Sequence, residues 1–232
     1  MFSKRKIVVL AFLLFSGFLS PKAIRAQSLS GTTGLVTIPT ARMQEDGTLN
    51  FGTSYFDKKD QQYFEGTKNY VAVYVSLTFL PFLELVYRVN KPLYYHVNNY
   101  TMDQTPMVRL RLLKEKKSLP AVVIGIHDIA STTGWNTVHF NATYLVLSKK
   151  ISAFDLHLGY APRIMKAFYY QLDGPFGGVA YSPLNSLHLY AEYDSRYVNA
   201  GFQYLFLNHF SISLAALNFN SYAAGINYKI VL

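Results

Sequence analysis

Two groups of side chains in this sequence are of types that could do chemistry together. The first sets imidazole beside carboxylate: His127 precedes Asp128 with Ser131 close behind, and His157 lies two residues from Asp155. A serine activated by a histidine that a carboxylate orients is the arrangement of acyl transfer, which would make a lipase or acyltransferase at a barrel rim. No Gly-x-Ser-x-Gly elbow is present, and two such residues share a strand face often by chance. No catalytic residue is therefore assigned, and the protein is expected not to be an enzyme. The six histidines are scattered without a His-x3-His spacing, so neither a metal site nor a cofactor is expected.

The second group is a set of interleaved charges: Glu84, Arg88, Arg109, Arg111, Asp128, His139, Asp155, His157, His188, Glu192, Asp194 and Lys229. Each falls on the polar face of a segment whose other face is apolar. In residues 187–193, Leu187, Leu189, Ala191 and Tyr193 oppose His188, Tyr190 and Glu192; further on, Val198, Ala200, Phe202 and Tyr204 oppose Asn199, Gly201 and Gln203. Tyr222, Ala224, Ile226, Tyr228 and Ile230 alternate with Gly225, Asn227 and Lys229 in the same way. A period of two marks strands lying between unlike surroundings. Earlier segments repeat it, with Val71, Val73, Val75 and Leu77 on one face, and Leu83, Leu85, Tyr87 and Val89 against Glu84, Val86, Arg88 and Asn90.

Alternation alone fits a soluble sandwich or a membrane barrel. Segments of about 9 to 11 residues match the span of a tilted transmembrane strand. Short connections at 80–81, 114–118, 149–152 and 183–185 alternate with long ones after Phe56, Asn90, Asp128 and Ala161. That asymmetry is the habit of outer-membrane barrels. The expectation is an all-β fold, a transmembrane antiparallel barrel of about twelve strands over residues 49–232, apolar face to lipid and charged face to the lumen. The 19 tyrosines and 17 phenylalanines would then supply interfacial girdles. For the strand from Thr137 the reading sets His139, Asn141 and Thr143 on the lumen face, opposite Val138, Phe140 and Ala142.

Residues 1–26 have a basic head (Lys4, Arg5, Lys6), an apolar run and a small residue at Ala26, the pattern of a cleaved secretory signal. Without Lys4, Arg5, Lys6, Lys22 and Arg25, the 22 basic residues fall to 17 against 13 acidic ones, a balance of +4. This is too mild to suggest nucleic acid, which export also disfavours. No cysteine occurs, so neither a lipid-attachment residue nor a disulfide is expected. The protein is placed in the bacterial outer membrane, with lipid as its surroundings.

Residues 27–48 do not read as a strand. Gly31, Gly34 and Pro39 suit irregular backbone, which is tolerated at membrane depth only inside protein or a water-filled cavity. The segment is expected to enter the barrel, plug its lumen and set Arg42 against carboxylates such as Glu84 or Glu192.

Several stretches in order also look familiar: Thr33-Gly-Leu-Val-Thr-Ile-Pro-Thr-Ala-Arg-Met43, Phe79-Leu-Pro-Phe-Leu-Glu84, Arg109-Leu-Arg-Leu-Leu-Lys-Glu115, Ile124-Gly-Ile-His-Asp128, Tyr144-Leu-Val-Leu-Ser-Lys149 and Gly174-Pro-Phe-Gly-Gly-Val-Ala-Tyr181. Together they resemble the YjbH/GfcD-like outer-membrane proteins of exopolysaccharide and capsule biosynthesis, in a short, single-barrel form. His127 stands where that family usually has arginine, and Ala180 where it often has glutamate. The resemblance implies a non-catalytic barrel taking part in polysaccharide secretion or assembly, with a polysaccharide and periplasmic export proteins as partners. Arg42 and the lumen charges would contact the glycan. The alternatives are a porin-like or structural barrel, in which the same charges form a salt-bridge network filling a narrow lumen.

Overall fold

The computed structural model describes residues 26–57, 69–93, 102–129 and 138–232. The expected leader, Ser131 and the side chain of His139 lie outside the described residues. The elements are β1 (Thr48–Phe56), β2 (Tyr70–Phe79), β3 (Leu83–Pro92), β4 (Asp103–Leu113), β5 (Ala121–His127), β6 (Val138–Ile151), β7 (Phe154–Ala161), β8 (Ala167–Tyr170), β9 (Gly174–Leu184), β10 (Leu187–Tyr193), β11 (Val198–Phe206), β12 (Phe210–Leu217) and β13 (Ser221–Val231). All except β8 join one antiparallel barrel of twelve strands, closed by the pairing of β1 with β13 from Thr48↔Val231 to Phe56↔Ala223. Closure removes the sheet edges, so the ladders pair the backbone around the whole wall, as a membrane requires, with bulges near Leu187–Leu189 and Arg111–Leu113.

The outer surface is apolar. Val73, Leu85, Leu110, Ile124, Leu145, Leu158, Leu214 and Ile226 are exposed there, bounded by rings of aromatic residues. At the end carrying the tight turns, Phe154 stacks on Tyr181 with centroids 5.1 Å apart, and Phe210 packs between Phe206 at 5.4 Å and Tyr228 at 4.7 Å. At the opposite end, that of the loops, Tyr55 meets Tyr222 at 5.8 Å. An aliphatic belt between two aromatic girdles is the surface a bilayer matches. The chain is a transmembrane β-barrel.

Two local expectations are corrected. The inner face of β6 is Ala142, Tyr144, Val146 and Ser148, all buried, while Leu145 and Leu147 face outward. Asn141 and Thr143 are therefore not lumen residues. The reason is that the lumen is dry here: Tyr144 and Val146 share one apolar cluster with Ile38 and Met43 of the N-terminal segment. The long connection after β7 also carries the unexpected β8, parallel to the part of β6 that runs past its last β5 partner, Ala142. Asn141 serves this extension, its amide donating to the His127 carbonyl at 3.1 Å.

Candidate functional site

Residues 26–47 fill the lumen. The chain passes into β1 at the turn end, where the Gly47 N–H donates to the Thr78 carbonyl at 3.0 Å. The segment folds on itself first: Leu29 N–H donates to Val36 O at 2.8 Å, Leu35 N–H to Ile38 O at 3.0 Å and Ser28 N–H to Thr32 O at 2.8 Å. It is a compact coil that satisfies much of its own backbone, as burial demands. Gly31 takes φ +93°, and a Cβ there would lie 2.8 Å from Cγ of Tyr74. The barrel wall makes room in turn. A Cβ at Gly178 would meet Leu35 Cδ1 at 2.7 Å, at Gly201 Val36 Cγ2 at 3.1 Å, and at Gly225 Leu29 Cδ2 at 2.6 Å. Three inward glycines on β9, β11 and β13 are thus the sockets for three apolar side chains of the plug.

Charged wall residues then fasten it. Glu192 on β10 accepts the N–H groups of Val36 at 2.9 Å and Thr37 at 2.8 Å, with the Thr37 hydroxyl at 2.6 Å. Glu84 on β3 accepts Thr33 N–H at 2.9 Å and its hydroxyl at 3.0 Å, and pairs with Arg109 of β4. Arg109 in turn donates to the carbonyls of Thr40 and, at 3.3 Å, Arg42. Neither side chain of the pair reaches solvent. A buried ion pair is tolerable only when its remaining donors and acceptors are also engaged; here the plug backbone engages Arg109 Nη2 and Glu84 Oε1, while Arg109 Nε has no partner among the described residues. Arg88 adds a bond to Ser30 O at 3.3 Å and reaches Gln171 at 3.4 Å, while His127 Nδ1 lies 3.1 Å from the same Gln171 oxygen.

Arg42 does not meet Glu84 or Glu192. Arg109 and Thr33 occupy the first, and the backbone of residues 36–38 the second. Arg42 instead donates through Nε to Asp155 of β7 at 2.8 Å and through Nη1 to Glu115 in the β4–β5 turn. The Arg42 carbonyl and side chain thus tie the plug to two strands, β4 and β7, and to the β4–β5 turn.

The imidazole and carboxylate pairs take unlike forms. His127 packs edge-on to Tyr144 with centroids 5.1 Å apart, and Asp128 accepts the Phe140 N–H at 2.9 Å, joining the end of β5 to the start of β6. His157 Nδ1 lies 2.7 Å from Ser148 Oγ, and its Nε2 lies 3.9 Å from Asp155. Sequence reading missed Ser148, since strand pairing alone brings β6 and β7 into this register. The Ser148 oxygen also accepts the Ala41 N–H at 2.7 Å and is sealed under the plug. A hydroxyl capped on both sides leaves no approach for an acyl group.

Of the remaining charges, Asp194 caps the β10–β11 turn, accepting N–H of Arg196 at 3.0 Å and Tyr197 at 2.8 Å. Arg111 stands half-buried at the turn-end rim, and Lys229 is buried on the inner face of β13. His188 lies half-buried on β10 with Nδ1 2.7 Å from Ser182 Oγ. It shares with Arg42, Asp155, His157, Lys150 and Tyr190 a cavity of about 260 Å³ between the plug and the wall. Among the described residues the segment packs across the lumen, with a recess beside it at the turn end.

Residues 26–168 match the YjbH family, described as exopolysaccharide biosynthesis protein. Over 142 residues the chain is 34% identical to an Escherichia coli (strain K12) protein named uncharacterized lipoprotein YjbH, covering 58% of this chain and 18% of that one. The chain thus spans less than a fifth of that relative's length. Among solved structures, the outer membrane phospholipase A of Escherichia coli is 13% identical, covering 81% of this chain and 92% of that one, at a TM-score of 0.46. A porin triple mutant of Rhodopseudomonas blastica is 9% identical, covering 80% and 99%, at 0.31. Likenesses this distant carry nothing about activity.

Proposed function

Because the chain belongs to the YjbH family of exopolysaccharide biosynthesis proteins, we propose that it is a non-catalytic outer-membrane barrel acting in secretion or assembly of an extracellular polysaccharide. The observation that supports this most is the built plug: buried carboxylates on opposite walls, Glu84 and Glu192, hold its backbone. A general diffusion porin needs an open aqueous lumen, so this plug disfavours the porin-like alternative. The turn end, where the plug enters and the cavity lies, faces the periplasm in this reading and receives export partners there. The sealed Ser148 argues against acyl chemistry.

The test pairs secretion with conductance. A strain lacking the gene should lose surface polysaccharide, and the intact chain should restore it, while the purified barrel in a planar bilayer shows little or no conductance. Large unselective steps, together with unchanged polysaccharide in the deletion strain, would return the protein to the porin class.

A further inference from the structure

Two polar groups that line the cavity at the turn end have no partner among the described residues. Tyr190 lines it and is 7% exposed, yet its hydroxyl has no partner among the described residues. His188 Nε2 is likewise unpartnered. The 2.7 Å contact between Ser182 Oγ and Nδ1 suits either tautomer, and in the one where Ser182 donates, Nε2 carries the proton and faces the recess as a donor. The exposed Lys150 lines the same recess and brings a positive charge to its mouth. The carboxylate present, Asp155, is already taken by Arg42 at 2.8 Å. Buried donors without acceptors are uncommon in proteins and call for explanation.

One wall is aromatic. The His188 and Tyr190 rings lie nearly parallel, 7° apart with centroids at 6.5 Å. The small Ala180, paired with Tyr190 on one side and Asp155 on the other, leaves the space open. A volume of about 260 Å³ corresponds to roughly nine waters at about 30 Å³ each, enough for one sugar ring but not several.

We propose that this cavity binds one acidic sugar residue, a pyranose bearing a carboxylate, presented by a polymer chain at the periplasmic mouth. This rests on the polysaccharide reading above and names its substrate class. Lys150 and the His188 Nε2–H receive the carboxylate, Tyr190 donates to a ring hydroxyl, and the flat His188–Tyr190 wall lies against the pyranose face. The rest of the polymer passes the mouth, where Ser182 is exposed.

Trigalacturonate, maltotriose and inorganic phosphate are titrated calorimetrically into the detergent-solubilised full chain. The expected result is binding of trigalacturonate, at least tenfold weaker binding of maltotriose, and no competition from phosphate. Lys150→Ala and Tyr190→Phe should each weaken trigalacturonate about tenfold. Ala180→Glu, which fills the recess and adds a like charge, should abolish binding while heat-modifiable migration shows that the barrel still folds. Equal binding of maltotriose, displacement by phosphate, unchanged affinity in folded Ala180→Glu, or no binding by the wild type each overturns the proposal. If trigalacturonate fails to bind but polymer secretion still depends on the barrel, the ligand falls and the functional reading stands.

Discussion

Glu84 on β3 and Arg109 on β4 stand directly opposite each other in the ladder, and both side chains are wholly enclosed. Removing one member of such a pair leaves an uncompensated charge, which costs about 3 to 5 kcal/mol. Arg109→Met should lower stability by that amount in urea unfolding of the folded barrel. Adding Glu84→Gln should recover most of the loss, since a glutamine oxygen still accepts from Thr33 without a buried charge. An unrecovered double variant would show that Arg109 acts through the Thr40 and Arg42 carbonyls instead.

Arginine substitutions separate the lipid face from the filled lumen. Ile226 is 52% exposed on the outer face, so Ile226→Arg should cost about 2 to 4 kcal/mol near the bilayer midplane. An open lumen would accept arginine at Gln203. That residue, however, donates to the Gln27 carbonyl at 3.2 Å and is 2% exposed, so Gln203→Arg must displace the plug at about 1 to 3 kcal/mol of overpacking. Deleting residues 27–42 should relieve the second penalty and leave the first, as read by unfolding midpoints. Relief of both would place Ile226 against protein rather than lipid.

The barrel was legible because its alternation is dictated by two immiscible surroundings. Val73 and Ile226 had to face outward if Ser76 and Asn227 faced inward. Polarity failed as a guide where the lumen is filled by protein. On β6 the inner residues are Ala142, Tyr144 and Val146, which pack with Ile38 and Met43 of the plug. A strand with apolar groups toward both lipid and plug carries no periodic signal. Arg42 was readable as a buried cation seeking carboxylates, but not its partners, since Glu115 lies 73 residues away and Asp155 113. The glycines at 178, 201 and 225 were the missed signal: small residues repeated at inner positions mark where something else must fit.

Acid should loosen the turn-end anchor. Partial burial works to raise the Glu115 carboxyl, but the Arg42 guanidinium, the Lys150 backbone N–H and the Lys149 ammonium outweigh it, holding the group below the usual carboxylate range. A carboxyl depressed on folding contributes stability above its ordinary value near 4.5 and loses it as pH falls through the lower folded value. Conductance of the intact barrel should therefore be flat from pH 7 to about 5 and rise below 4.5. Glu115→Gln should raise the baseline at neutral pH and flatten the acid response. The same acid response in Glu115→Gln would assign it to another carboxyl.

Removing the plug tests what holds the lumen shut. The wall contributes twelve antiparallel pairings that do not pass through residues 26–47, so deleting residues 31–42 should leave a folded, heat-modifiable barrel. Its cost is the loss of apolar contacts at the Gly178 and Gly201 sockets and of acceptors for Arg109. Water can replace the latter once the lumen is open. Single-channel conductance should rise from near zero to discrete steps. Arg42→Ala should produce a smaller rise, because Glu84 and Glu192 still grip Thr33 and the backbone of residues 36–38. Glu192→Ala should exceed Arg42→Ala, since it frees several plug donors at once in a buried site where each unmade bond costs about 1 to 3 kcal/mol. A folded deletion variant that conducts no more than the intact chain would mean that the wall's inward side chains close the lumen by themselves. The segment would then serve to dock a periplasmic partner.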